Sequence, residues 1–190
     1  MATLQIAQVP EADELLSTDP LALLLGMLYD QQFPMERAFA GPYVLAQRLG
    51  VTSLDATALA ALDADTLTEA MATTPVVHRY PKAMAERTQA LCRLLVSSYD
   101  GSAAALWETA DTGAELIKRL TALPGFGKQK AQIFVALLGK QLGVRPSGWK
   151  EAAGAYADEG SFRSVADVTG PEALEKVRAF KKEQKAAAKA

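Results

Sequence analysis

The stretch Leu123–Phe134, LPGFGKQKAQIF, decides the fold because it places two glycines two positions apart between two segments of helical periodicity. Glycines in a tight turn let one backbone approach another closely. The first N–H groups of the following helix then point outward, where the helix dipole favours an anion. The stretch therefore predicts a helix–hairpin–helix whose turn binds a phosphate.

Two other phosphate-binding motifs do not fit this turn. A nucleotide-hydrolase loop needs four residues between its glycines and then Lys and Ser/Thr, whereas one residue separates Gly125 from Gly127 and Gln129 follows Lys128. A dinucleotide-binding fingerprint needs a preceding strand and a third glycine. A plain helix–helix turn, in which glycine supplies a positive φ, remains the structural alternative.

The charge is distributed unevenly, although the formal net charge is only −2. Residues 1–117 carry 6 Lys/Arg against 15 Asp/Glu, and residues 151–190 carry 7 of each. Residues 118–150 contain the glycine turn and no acid, and their basic residues are Lys118, Arg119, Lys128, Lys130, Lys140, Arg145 and Lys150. An anion is the expected partner of this block. For Lys140, Arg145 and Lys150 a solvated face is the alternative.

The composition predicts one folded, all-α domain over residues 1–190. Nearly every segment has helical periodicity and none alternates at period two, and we expect the alanine-rich tail 181–190 to fray. No apolar run reaches the roughly 20 residues of a membrane span, and no signal peptide is recognisable, so we expect a cytoplasmic monomer without a membrane partner. One cysteine, Cys92, and one histidine, His78, exclude an internal disulfide and a Cys/His cluster for zinc or iron–sulfur.

These residues resemble the helix–hairpin–helix (HhH-GPD) DNA glycosylases, which include endonuclease III and the adenine-mismatch glycosylases. LPGFGKQKA is similar to their LPGVGR hairpin followed by a small residue and Ala. LYDQQ, residues 28–32, is similar to their LSQQ-type segment, and the long helix after PVVHRYPKA, residues 75–83, is similar to theirs. The likeness covers roughly residues 20–155. It implies two helical lobes with a DNA groove between them, residues 1–30 with 145–190 and residues 31–144 with the hairpin 112–142.

The resemblance also implies DNA contacts for Gly125, Phe126, Gly127, Lys128, Lys130, Gln31, His78 and Arg79. Gln31 and His78 would fill the gap left by a flipped nucleotide. The alternatives are that Gln31 satisfies a helix end and that His78 is an ordinary polar loop residue. Tyr29 and Trp149 are candidates for stacking on the base, with a core position as the alternative for each.

A monovalent cation, Na⁺ or K⁺, is implied at the carbonyls of Leu123 and Gly125, as in relatives. No other cofactor is implied, because the cysteines of the endonuclease III iron–sulfur cluster are missing.

The chain departs from the family at both catalytic positions. The family aspartate position falls on Ser147, so the carboxylate is replaced by a hydroxyl. The lysine of bifunctional members falls on Gln129, so we expect no β-lyase activity. The 3-methyladenine glycosylase I branch also lacks the usual aspartate. The candidates for a substitute carboxylate are Asp30, Glu36 and Glu151.

The expected function is base-excision repair in the nucleoid. The protein would hydrolyse the N-glycosidic bond of a damaged base, alkylated or deaminated, in double-stranded DNA and would have no AP-lyase activity. One alternative is a catalytically inactive module that binds damaged or distorted DNA. Another is a helical protein–protein adaptor, which would suit the acidic first 117 residues but would leave the hairpin unexplained.

Overall fold

The computed structural model describes residues 3–190 and confirms the all-α prediction. Within this range the chain forms no sheet; one isolated bridge pairs Thr112 with Ser147. The helices are α1 (Pro10–Thr18), α2 (Pro20–Tyr29), α3 (Met35–Leu49), α4 (Ala56–Ala61), α5 (Ala64–Ala72), α6 (Pro81–Tyr99), α7 (Ala105–Glu108), α8 (Gly113–Thr121), α9 (Lys128–Gln141), α10 (Trp149–Ala153) and α11 (Pro171–Lys189), with 3₁₀ turns at Gly154–Ala157 and Val165–Asp167.

Helix α2 lies at the centre of the core. Every residue from Leu21 to Tyr29 is buried, as expected of a helix that is apolar all round. Its N-cap, Asp19, accepts hydrogen bonds from the N–H groups of Leu21 and Ala22, and its second carboxylate oxygen accepts one from the N–H of Leu54 at 2.7 Å. The cap thereby fixes where α2 starts and ties the α3–α4 loop to it.

Helices α8 and α9 follow one another across the glycine turn, and we call the two helices with their turn the hairpin. Thr112 caps α8, and the connection between the two helices, residues 122–127, holds both glycines. Leu123 and Phe126 are buried, and the ring of Phe126 meets that of Phe134 edge-on at 6.4 Å. These apolar anchors leave the glycines at the surface of the molecule.

The buried apolar residues form one continuous cluster from Leu4 to Val177, to which both of the proposed lobes contribute. Helix α11 joins this cluster only through its first two turns, with Leu174 and Val177, and Ala173 is buried beside them. The rest of α11 extends to Lys189 along the surface. The sequence led us to expect fraying there, but alanine and lysine are good helix formers and the helix continues.

Among residues 3–190, no helix combines the length and the apolar character that crossing a membrane requires.

Candidate functional site

The two hairpin glycines have different roles. Gly125 has φ +80°, and a Cβ atom there would lie 2.6 Å from Cδ1 of Leu28, so glycine is needed for both conformation and space. Gly127 has φ −86°, and a Cβ atom there would meet nothing within 4 Å. The hairpin therefore packs against α2 through Gly125 and presents Gly127 to open space.

The first turn of α9 has free main-chain donors. Gly127 supplies no side-chain cap, and within residues 3–190 no acceptor bonds the N–H groups of residues 127–130. The first backbone bond of this helix runs from the N–H of Ala131 to the carbonyl of Gly127 at 3.0 Å. An anion placed over Gly127 would meet these donors and the positive end of the helix dipole.

The lysines of the hairpin point in different directions. Lys128 is exposed beside the free amides. Lys130 turns inward, where its Nζ donates to the carbonyl of Leu28 at 3.1 Å and lies 5.8 Å from the centre of the Phe126 ring. Burial lowers the pKa of Lys130 to about 8, although nearby Asp30 favours the charged form. The side chain of Lys128 is thus exposed at the surface beside the free amides, whereas the side chain of Lys130 lines a cleft.

This cleft, of about 1230 Å³, opens beside the hairpin. Its walls are the loop after α2, the start of α9, the 3₁₀ turn with Tyr156, and the part of α11 from residue 178 to residue 189. Among the described residues that line it, Asp30 is the only acid, and the cations are Lys130, Arg163, Arg178, Lys181, Lys182, Lys185 and Lys189. Such a concave basic surface concentrates polyanions.

Asp30 stands at the C-cap of α2, where its N–H is bonded to the carbonyls of Gly26 and Met27. The side chain is half-buried. Burial raises the pKa of the Asp30 carboxyl above its ordinary value of 3.8, and the charge of Glu36 adds to this; Lys181 and Lys130 oppose the rise. Asp30 is therefore the carboxylate that the fold brings into the cleft beside the hairpin.

The other two candidate carboxylates lie differently. Glu36 is paired with Arg178 of α11, and its Oε2 is buried without a partner among the described residues. Glu151 is exposed on α10 and does not line the cleft.

Ser147, at the family aspartate position, also lies outside the cleft, and the residue that caps α10 is Gly148. Gln129 lines the cleft and donates from Nε2 to the hydroxyl of Tyr156 at 2.9 Å.

His78 and Tyr29 are both fully buried. His78 accepts at Nδ1 from the N–H of Tyr80, which leaves Nε2 to donate to the carbonyl of Gln31, at 3.0 Å each. Burial lowers the pKa of His78 and so favours the neutral ring, which is hydrogen-bonded at both nitrogens. Tyr29 bonds Thr88 through its hydroxyl at 2.9 Å and packs in the core. Neither side chain reaches the surface.

The exposed groups of this region are Arg79, which the sequence singled out, and Gln32 and Tyr80, to which the sequence assigned no DNA contact. Tyr80 is 44% exposed, and its hydroxyl donates to Oε1 of Gln32 at 3.4 Å. Gln32 is exposed and has φ +53°. Arg79 is exposed and lies over the Tyr80 ring at 5.5 Å. Gln31 is half-buried, and its Oε1 accepts from Arg87 at 2.9 Å. The exposed aromatic residue of the loop is therefore Tyr80, two positions after His78.

Much of the basic block is used within the fold. Lys140 forms a buried ion pair with Asp167 at 2.6 Å, Arg119 pairs with Glu115, and Lys150 pairs with Glu159. Arg145 donates to the carbonyl of Gly139 at 2.9 Å.

Trp149 is half-buried, and its ring covers Gly139, where a Cβ atom would collide with it. It joins α10 to α9 and does not line the cleft.

The hairpin carbonyls named for a monovalent cation are compatible with one. The carbonyl of Leu123 accepts from the N–H of Phe126 at 3.2 Å and keeps a second lone pair, and no described residue donates to that of Gly125. Carbonyl oxygens suit hard cations. The cation remains a prediction.

Comparison of the chain with protein-family models, with curated proteins and with solved structures found no match. The fold and the site define an all-α protein with an exposed glycine hairpin at the edge of a basic cleft.

Proposed function

We propose that this protein is a monofunctional DNA glycosylase of the helix–hairpin–helix type, which binds double-stranded DNA and hydrolyses the N-glycosidic bond of a damaged base. The observation that carries the proposal is the basic cleft with Asp30 as its only acid among the described lining residues, next to the free amides of the hairpin. In this proposal the hairpin binds the DNA backbone, and the residues of the cleft act on the damaged nucleotide.

The hairpin binds one phosphate of the backbone. The free amides at the start of α9 donate to its oxygens, and the ammonium group of Lys128 adds attraction that does not depend on sequence. Glycine at position 127 lets the phosphate approach the main chain without meeting a side chain.

The cleft receives the extruded nucleotide. A base inside a duplex is out of reach, so an enzyme that acts on it has to flip it out of the stack. The cleft volume of about 1230 Å³ exceeds the roughly 300–1,000 Å³ of small-molecule sites, so the cleft has room for a nucleotide and for the flanking phosphates. Gln32 and Tyr80, exposed at its edge, are the groups placed to occupy the gap in the duplex.

Asp30 carries the reaction. When the bond from C1′ to the base nitrogen breaks, its electron pair leaves with the base, and positive charge develops on the sugar. The Asp30 carboxylate stabilises that charge and then accepts the proton of the water that adds to C1′. Lys130 and Lys181 favour the ionised form of Asp30, which this role requires.

The charge of the cleft favours deaminated bases over alkylated ones. A neutral base such as uracil leaves as an anion, which the ammonium groups of the cleft stabilise. A methylated purine carries a positive charge before it leaves, and the same ammonium groups repel it. Within the two classes that the sequence left open, we therefore expect uracil to be released faster than methylated purines.

The chemistry stops at base release. Gln129 occupies the position of the family lysine, and its amide, bonded to Tyr156, cannot form an imine with the sugar. Lys130 is the nearby amine, and its Nζ is bonded to the carbonyl of Leu28. We expect strand scission only after hot alkali, and a borohydride-trapped adduct on Lys130 would contradict this part of the proposal.

The test uses duplexes that carry one uracil, one hypoxanthine or methylated purines, incubated with the protein and then heated in alkali. Alkali-dependent scission at the lesion supports the proposal. Tight binding to the lesion without base release from any duplex supports the alternative, an inactive module for damaged DNA. Absence of binding to every duplex at low salt refutes both and leaves the adaptor.

A further inference from the structure

Most of the basic residues of α11 line the cleft, and its acidic residues do not. Arg178, Lys181, Lys182, Lys185 and Lys189 follow one another at intervals of three, one, three and four residues, which places them on one side of α11. All five line the cleft. The acids of the helix, Glu172, Glu175 and Glu183, do not line it. The cationic stripe, defined by these five residues, therefore faces the same space as Asp30.

The packing of the helix does not explain this stripe. Its last buried residue is Val177, and from residue 182 onward every side chain is exposed. Arg178 is held by Glu36 of α3, but within residues 3–190 the four lysines of the stripe have no carboxylate within 4.0 Å. Like charges three and four residues apart repel each other on a helix, so the stripe destabilises α11 until an anion covers it.

We propose that the cationic stripe is a second DNA-binding surface, which holds the sugar–phosphate backbone of one strand along the wall of the cleft opposite the hairpin. The inference rests on the proposed function, since it takes DNA as the partner. It adds that the C-terminal helix, and not the hairpin alone, supplies much of the affinity.

The spacing of the lysines suits a polymeric anion. A helix rises about 1.5 Å per residue, so Lys181 and Lys189 are about 12 Å apart along α11. One strand of DNA presents a phosphate about every 3.4 Å of helix axis, so three to four phosphates lie along this length. A free phosphate would engage only part of the stripe. A membrane surface would need an apolar face beside the lysines, and the last half of α11 has Phe180 as its one large apolar residue.

The experiment compares four proteins, each comprising residues 1–190, by fluorescence anisotropy. The probe is a labelled duplex that carries one uracil opposite guanine, and the titrations are repeated over a series of KCl concentrations. The stripe variant is K181Q/K182Q/K185Q/K189Q. The control K82Q/R93Q/K150Q/K176Q removes the same number of charges from exposed residues outside the cleft. A third variant, with the four stripe lysines changed to arginine, keeps the charge, and wild type is the reference.

The slope of log K against log [KCl] becomes shallower by about 0.9 for each phosphate that the protein no longer neutralises. We expect the slope of the stripe variant to be shallower by about three units, whereas the control and the arginine variant keep the wild-type slope. Circular dichroism verifies that all four proteins keep the helical fold.

Equal slopes in the stripe and control variants would overturn the inference. If Lys128→Glu still weakened binding in that case, the proposed function would stand. If wild type bound no duplex at low salt, or bound vesicles of anionic lipid instead, the proposed function itself would fail.

Discussion

Replacing Asp30 with asparagine is the sharpest test of the proposed chemistry, because activity, DNA affinity and stability should change in different directions. The amide keeps the shape of the carboxyl group and removes its charge. We expect base release to become much slower, while duplex binding becomes slightly tighter, because a negative charge has left a cleft lined by seven cations.

The loss of rate follows from the position of the carboxylate. Asp30 is half-buried, so an effective dielectric constant of about 20 applies to its interaction with the sugar. A unit charge about 4 Å away is then stabilised by about 4 kcal/mol. This corresponds to about three orders of magnitude in the rate of bond cleavage.

The free energy of unfolding should not fall with the reaction rate in Asp30→Asn. The pKa of Asp30 is raised in the fold, mainly by burial, so the charged form is disfavoured there. This destabilisation is absent in strong acid and grows as the pH rises through the raised pKa. Asparagine removes it, and we expect an unfolding free energy at neutral pH that is equal to or higher than that of wild type.

Single-turnover release of uracil from duplex DNA, scored after hot alkali, measures the rate, and urea unfolding measures the stability. Glu151→Gln is the matched control, since Glu151 is an exposed carboxylate outside the cleft and its substitution should leave the rate unchanged. A wild-type rate in Asp30→Asn, or an equal loss in Glu151→Gln, would refute this assignment.

Three further predictions concern other parts of the site and fold. Lys130→Met removes a charge that lowers the pKa of Asp30, so the acid limb of the plot of rate against pH should move to higher pH. An unshifted acid limb would contradict an interaction between Lys130 and Asp30. Gly127→Ala should change the unfolding free energy by less than about 1 kcal/mol but weaken duplex binding in anisotropy, because its methyl group stands where the phosphate approaches. Lys140→Met leaves the buried Asp167 without its partner and should cost about 3 kcal/mol in urea unfolding, with duplex affinity of the folded protein unchanged.

The sequence predicted the helical class and the glycine turn between two helices because both are local properties. Periodicity reports a helix face, and a glycine pair between two helical segments marks a tight turn wherever the rest of the chain lies. The anchoring of the turn by Leu123 and Phe126 followed from the same local pattern.

The sequence could not predict which neighbour in a loop is exposed. His78 and Tyr80 are two positions apart, and only the packing of the His78 ring near Tyr29 and Phe33 makes the first a buried side chain and the second a surface group. The same applies to Lys128 and Lys130, which are about 200° apart around α9, so that one faces solvent and the other the cleft.

The sequence did not reveal the cationic stripe, because a sum of charges along the chain does not separate the faces of a helix. Residues 151–190 carry equal numbers of acids and bases, so their sum is zero, yet α11 places five cations on its cleft face and its acids elsewhere. Conversely, the strongly basic block 118–150 uses Arg119, Lys140 and Lys150 in ion pairs within the fold. A helical wheel of α11 would have been the better signal.

The close packing of Gly125 on Leu28 bears on the distance between the glycine turn and Asp30. Two residues after Leu28 comes Asp30, and Lys130 donates to the carbonyl of Leu28, so two contacts join the hairpin to the end of α2. If the hairpin binds a phosphate as proposed, this contact sets the distance from that phosphate to the Asp30 carboxylate. We then expect a nucleotide to be accepted only when it spans that distance, and we expect the loop that follows Asp30 to accommodate different bases.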